Sequence, residues 1–303
     1  MTARRATTLV LLAAVLFGTT GTAQALGPDA TTPLTVGAVR LLVGGTALLA
    51  FVLLAGGRLG QVVAVWRTPA GLVAGFFVAA YQVFFFAGVA RAGVAAGTLV
   101  TIGSAPFLTG LLALAVGFGR PTRGWAVSTA VAVAGLVLLS AGGASGGGAD
   151  ARGLWLSLAS GLGYAAYAVA SKHLLDAGHP PDAVMAGAFS LGAVLLVPVL
   201  VAGPLGWLAS PSGVALALYL GLLPTALAYV LFSRGLVVLP AGTVATLTLA
   251  EPVVATLLGA LLLGEHLGPD GLAGMALIIT GLALLGVTTA RGRQRLDQGQ
   301  SPA

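Results

Sequence analysis

The chain has 303 residues, 58% of them hydrophobic and 7% charged, with a mean hydropathy of +1.04; soluble domains carry roughly 25% charge, so a water-soluble fold is excluded. It has no cysteine, which removes disulfides, thiolate metal sites and cysteine nucleophiles, and its histidines, His173, His179 and His266, include no pair at a helical metal-ligand spacing. The formal net charge of +6 does not trace the stripe of a nucleic-acid binder, because the basic residues stand at the termini and between apolar blocks.

A membrane helix needs roughly 20 apolar residues. Ten such blocks follow one another, at about 7–26, 34–56, 70–90, 96–118, 125–141, 153–171, 183–202, 213–233, 241–263 and 271–290. Gly142, Gly143, Gly146, Gly147 and Gly148 separate the fifth block from the sixth. The expected organisation is a five-helix half at 6–141, a Gly-rich extracytoplasmic linker at 142–152, a second five-helix half at 153–290, and a disordered cytoplasmic tail at 291–303.

With the N-terminus in the cytoplasm, the inner side carries Arg4, Arg5, Arg58, Arg67, Arg120, Arg123, Lys172, Arg234, Arg291, Arg293 and Arg295, against Arg91 and Arg152 on the outer side. This bias obeys the positive-inside rule across ten spans, and adding or deleting one span scrambles it. Arg4-Arg5, a leucine-rich stretch and Ala23-Gln24-Ala25 together imitate a cleavable signal peptide. The segment is read instead as the first span, because it has a counterpart later in the chain.

That counterpart belongs to an internal repeat. Ala96-Gly97-Thr98-Leu99-Val100-Thr101 recurs as Ala241-Gly242-Thr243-Val244-Ala245-Thr246. After a one-residue shift Pro106 matches Pro252, Leu111-Leu112 matches Leu257-Leu258, and Gly135-Leu136 matches Gly281-Leu282; at the front, Phe17-Gly18 falls opposite Leu162-Gly163. Five spans is an odd number, so the second copy enters the membrane in the opposite sense. The expected fold is an all-α integral membrane protein of ten transmembrane helices in two inverted five-helix repeats. Secondary transporters are often built this way, with a substrate site near the midplane and alternating access by rocking of the bundles.

Glycine and proline serve packing and bending here: Gly71 and Gly75, and Gly93 and Gly97, have the spacing that lets helix backbones approach. Ionisable residues inside spans cost roughly 2.5 to 3.5 kcal/mol at the helix centre, and two occur. Arg40 reads either as a cavity cation for a carboxylate or as a snorkelling or structural cation. Glu251 lies near the midplane, just before Pro252, where the helix is expected to break; burial disfavours its charged form, as a proton-coupling group requires, and the plain alternative is a structural glutamate. Pro106 is the matching expected break in the first half.

Tyr81, Gln82, Tyr164 and Tyr167 sit on faces able to wall a cavity, with Phe77, Phe84 and Phe85 on the helix of Tyr81. Thr98, Thr101 and Thr246 fall on the best-matched copies, the fourth and ninth spans, which are the expected cavity walls, although threonine often bonds only its own helix. Trp66, Trp125, Trp155 and Trp207 lie close to span ends and read as interfacial anchors. No phosphate-binding Gly-x-x-x-x-Gly-Lys, no close carboxylate pair and no nucleophile with a base is present, so neither an enzyme nor a cofactor is expected.

Pro33 with Arg40, the stretch from Tyr219 to Tyr229, Glu251-Pro252, and Gly264-Glu265 give the chain, over about residues 6–290, a resemblance to the drug/metabolite transporter superfamily and to its EamA-type ten-helix exporters. The resemblance implies export of amino acids or other small metabolites through a central cavity, with both termini cytoplasmic. Two departures stand out: Gly119 occupies the position that Glu265 holds in the second half, and the first span has Phe17-Gly18 where the family often has Trp-Gly. The sequence therefore reads as a cytoplasmic-membrane secondary transporter of small molecules in a lipid bilayer, with protons as a candidate coupling ion. The alternatives are a lipophilic-cation exporter and a non-transporting membrane scaffold.

Overall fold

A computed structural model of the protein describes residues 1–56, 58–118, 121–141, 150–264, 266 and 268–297. The glycine tract, Gly119, Glu265 and the end of the tail lie outside the described residues. Those described form helices throughout: α1 (Ala3–Ala25), α2 (Pro33–Leu54), α3 (Leu59–Trp66), α4 (Pro69–Ala92), α5 (Val94–Ala115), α6 (Arg123–Ala141), α7 (Ala151–Asp176), α8 (Pro181–Leu195), α9 (Val197–Ala202), α10 (Pro211–Gly221), α11 (Ala228–Val238), α12 (Ala241–Leu247), α13 (Ala250–Leu262) and α14 (Pro269–Asp297).

Their starts are written in the sequence. Proline at the first helical position opens α2, α4, α8, α10 and α14, where its missing N–H costs nothing. Thr32, Thr68 and Ser210 cap three of these by accepting a backbone N–H. Gly93 alone joins α4 to α5; its φ of 86° is a conformation that a residue with a side chain rarely adopts.

Among the described residues nine helical stretches are long and apolar enough to cross a membrane. The remaining span of the ten is shorter, Pro181–Leu195, and continues through α9. Three spans are thus composite: α8 with α9, α10 with α11, and α12 with α13. The fold is all-α, ten spans in two inverted halves.

The pairing of helices displays the internal repeat. The second spans of the two halves, α2 and α8, pack on each other, as do the fifth, α6 and α14. The third span of the first half (α4) packs on the first span of the second half (α7), and the reciprocal pair, α11 and α1, does the same. Swapping the halves therefore returns the same list of neighbours, as two-fold pseudosymmetry requires.

In lipid, helices associate by close packing and hydrogen bonds rather than by hydrophobicity. At α6 and α14, a Cβ on Gly135 would lie 2.6 Å from the carbonyl oxygen of Gly274, and one on Gly281 would lie 2.6 Å from the nitrogen of Ala132. Hydroxyls supply the bonds: Thr101 donates to the Ser157 carbonyl at 3.0 Å, joining α5 to α7, and Thr129 and Thr246 share a bond of 2.8 Å, joining α6 to α12.

The tryptophans correct the uniform reading as anchors. Trp155 is 70% exposed and suits the membrane interface. Trp207 is buried against Val36, Val39 and Leu216. Trp66 donates to the Gly187 carbonyl at 2.9 Å, tying α3 to α8. Trp125 lies half-buried against Gly110 and Gly242, and a Cβ on Gly110 would run into its ring.

Candidate functional site

Arg40 stands about two turns into α2, and its guanidinium turns inward, where Nη2 donates to Gln82 Oε1 on α4 at 3.1 Å. This inward bond, rather than snorkelling toward the helix end, sets the position of the charge. Tyr81 on α4 and Tyr164 and Tyr167 on α7 complete the set of sequence-predicted residues that line one recess with Arg40 and Gln82. Both halves contribute, since α2 and α4 come from the first and α7, α8 and α11 from the second.

The recess is small, a cavity of about 10 Å³, room for about one water. Aromatic rings make its walls. Tyr81 and Tyr164 meet at 6.4 Å between centroids, Tyr164 and Tyr167 at 6.3 Å, Tyr167 and Tyr229 at 6.1 Å, and Tyr229 and Phe189 at 4.2 Å. The hydroxyls differ in role. Tyr167 sends its hydroxyl to Met185 Sδ at 3.1 Å, so it offers the recess only its ring. The Tyr164 hydroxyl is buried, with Thr248 as its polar neighbour but without a hydrogen bond of regular geometry.

Two spans depart from regular α-helix in this region, each at a proline. Pro224 cannot donate to the Leu220 carbonyl, and Thr225 Oγ1 donates to it instead at 2.7 Å. The chain runs as a π-helical segment at Leu222–Leu227, which places Thr225 and Tyr229 on the recess. In the ninth span α12 ends before Thr248, and α13 begins at Ala250; the Thr248 carbonyl, which Pro252 cannot satisfy, accepts the Glu251 N–H at 2.9 Å. Glu251 thus sits in the first turn of a half-helix, half-buried, and among the described residues its carboxylate makes no hydrogen bond or ion pair.

Glu251 does not line the recess but borders it. Its carbonyl oxygen would be 2.8 Å from a Cβ on Gly18, and the adjacent Phe17 ring packs on Tyr229 at 5.0 Å. Arg40 and Glu251 interact electrostatically, and Tyr81 lies within range of both charges. Arg40 and Glu251, one from each half, thus lie within electrostatic range of each other without forming a direct ion pair.

The threonines expected on the walls from the fourth and ninth spans do not line this recess. Thr101 bonds the Ser157 carbonyl on α7, Thr246 bonds both Thr129 on α6 and the Gly242 carbonyl of its own helix, and Thr98 is half-buried on α5. Pro106 does not break its helix, since α5 runs through it; neighbouring helices hold a membrane span in which one bond is lost. Thr225, Tyr229 and Phe189 were not singled out as site residues from the sequence. Pro224 within an apolar block was the available signal for the first two, whereas Phe189 had none.

Ten apolar spans in two inverted halves, with charged and aromatic side chains gathered between them, define a multi-pass membrane protein with an internal polar site. The chain belongs to the EamA-like transporter family, whose pattern matches residues 4–141 and 151–287. It is 41% identical over 276 residues, 91% of this chain and 92% of the relative, to the uncharacterized transporter YwfM of Bacillus subtilis (strain 168). It is 34% identical over 221 residues, 72% of each chain, to a probable terminal-alkyne amino-acid exporter of Streptantibioticus cattleyicolor. A solved crystal structure superimposes with a TM-score of 0.79 over 94% of this chain and 98% of that one; at 24% identity the likeness shows the fold alone.

Proposed function

We propose that this transporter exports amino acids or related small metabolites across the cytoplasmic membrane, with both termini on the cytoplasmic side. The observation that carries the reading is the recess between the halves, where Arg40 turns inward beside Tyr81, Gln82 and Tyr164. A secondary transporter of inverted repeats places its substrate at such a point, and rocking of the halves opens it to either side in turn. The cavity holds about one water, so the walls part before a solute enters. The similarity to a relative named as a probable amino-acid exporter supports the substrate class. A lipophilic cation would meet the Arg40 guanidinium in the same recess, which favours the amino-acid reading.

Glu251, an acid without a side-chain partner at a helix break, is the proton-coupling group in this reading. The test is counterflow of labelled amino acids and of a lipophilic cation in proteoliposomes, for wild type and Glu251→Gln, with and without a pH gradient. Saturable amino-acid flux, driven by the gradient and uncoupled from it in the variant, is expected. Flux indifferent to both gradient and variant removes proton coupling, flux of the cation alone replaces the substrate class, and silence across a broad panel overturns the transport reading.

A further inference from the structure

Arg40 carries a delocalised charge and five N–H donors. Its neighbours in the recess, the Gln82 amide oxygen at 3.1 Å and the Tyr81 hydroxyl, are both neutral. Among the described residues no carboxylate stands within ion-pair reach of it, and none of the basic groups stands within such reach of Glu251. Membrane interiors penalise isolated charges, so each of these groups is arranged to gain from a counter-charge brought by a ligand. Gln82 is buried and presents to Arg40 the kind of atom a carboxylate would present, an sp² oxygen in the plane of its group.

On the reading that the recess carries amino acids, we propose that Arg40 and Glu251 are the two poles of one zwitterion site, in which the substrate carboxylate displaces Gln82 from Arg40 while its ammonium faces Glu251. A free amino acid gains at both poles. A solute with only a positive charge gains at Glu251 and loses at Arg40, and a solute with only a negative charge does the reverse. Opposite charges on the two halves, α2 in one and α13 in the other, also mean that a zwitterion links the halves as it binds. Specificity then resides in the charge pattern of the site, and Gln82 sets its strength as the group to be displaced.

The experiment is uptake into proteoliposomes of L-phenylalanine, L-phenylalaninamide, which lacks the carboxylate, and 3-phenylpropionate, which lacks the ammonium. Wild type is expected to favour the amino acid over each analogue by more than tenfold in kcat/KM. Arg40→Gln abolishes the preference over the amide and keeps that over the acid, whereas Glu251→Gln does the opposite. Gln82→Met keeps both charges and removes the competitor, so the KM for the amino acid falls by about tenfold, the lower end of the worth of a charged hydrogen bond, with the KM for the amide unchanged. It also keeps the proposal testable if a charge-removing variant fails to fold. Unchanged analogue ranking in Arg40→Gln or in Glu251→Gln, or an unchanged amino-acid KM in Gln82→Met, overturns the two-pole assignment while amino-acid transport stands. Absence of amino-acid flux in wild type overturns the transport reading itself and the assignment with it.

Discussion

Replacing Gly135 by alanine tests the account of how the two halves are held at α6 and α14. The new Cβ would stand 2.6 Å from both the Gly274 carbonyl oxygen and the Ile278 nitrogen, and 2.8 Å from Leu277 Cβ. Two of these three atoms belong to backbone, so no side chain can swing aside, and relief to an ordinary contact near 3.4 Å requires the helices to separate by about 0.8 Å. Overpacking of this kind costs about 1 to 3 kcal/mol. The same change at Gly286, on α14, meets nothing within 4 Å and exchanges a poor helix former for a good one, so it is expected to be neutral or slightly stabilising. Thermal unfolding in one detergent, followed by loss of monodispersity, compares the pair: Gly135→Ala is expected to lower the midpoint by several degrees and Gly286→Ala to leave it unchanged. Equal midpoints for the two variants would refute the claim that direct backbone contact carries this interface.

Trp66→Phe removes the bond to the Gly187 carbonyl and is expected to cost about 1 to 2 kcal/mol. Trp155→Phe, at a 70% exposed position, should cost little in the same thermal assay. Asp182→Asn removes the negative charge and one of the two oxygens that accept from Arg234 Nη2, both at 2.9 Å. Because these side chains are 26% and 43% exposed, solvent screening holds the loss to under about 1 kcal/mol, and the difference from wild type should shrink as salt is raised. A double-mutant cycle with Thr129→Val and Thr246→Val is expected to return a coupling of about 0.6 kcal/mol, the usual worth of a hydrogen bond between membrane helices; additive effects would mean that each hydroxyl is satisfied without the other.

The chain itself determined the ten spans, their starts and the inverted repeat. Bilayer thickness fixes how many apolar residues a span needs, proline and threonine mark where helices begin, and the structure shows α2, α4 and α10 opening at such pairs or at Ser210-Pro211. Arg40 and Glu251 were legible for a related reason, since charge is costly in hydrocarbon and stands out against it. Tyr81, Gln82, Tyr164 and Tyr167 were legible as polar tips in apolar helices, and the structure brings them to one recess.

Tertiary structure alone decided which face of each helix looks inward. A helix in water reveals its buried face by contrast between apolar and polar sides, but lipid and protein interior are both apolar, so a span carries little of that contrast. Thr101 and Thr246 therefore read as cavity residues, yet neither lines this recess: Thr101 bonds a neighbouring helix, and Thr246 bonds both a neighbour and its own helix. Trp207 read as an anchor and proved to be packed inside. Phe189 had no sequence mark, and it reaches the recess because α8 lies beside α4 and α11. The prolines make the same point: Pro106, Pro224 and Pro252 each forfeit one bond, yet α5 stays continuous, the eighth span widens into a π-helical turn and the ninth breaks. The local chemistry is the same in all three, and the packing of neighbouring helices settles what the backbone does with it.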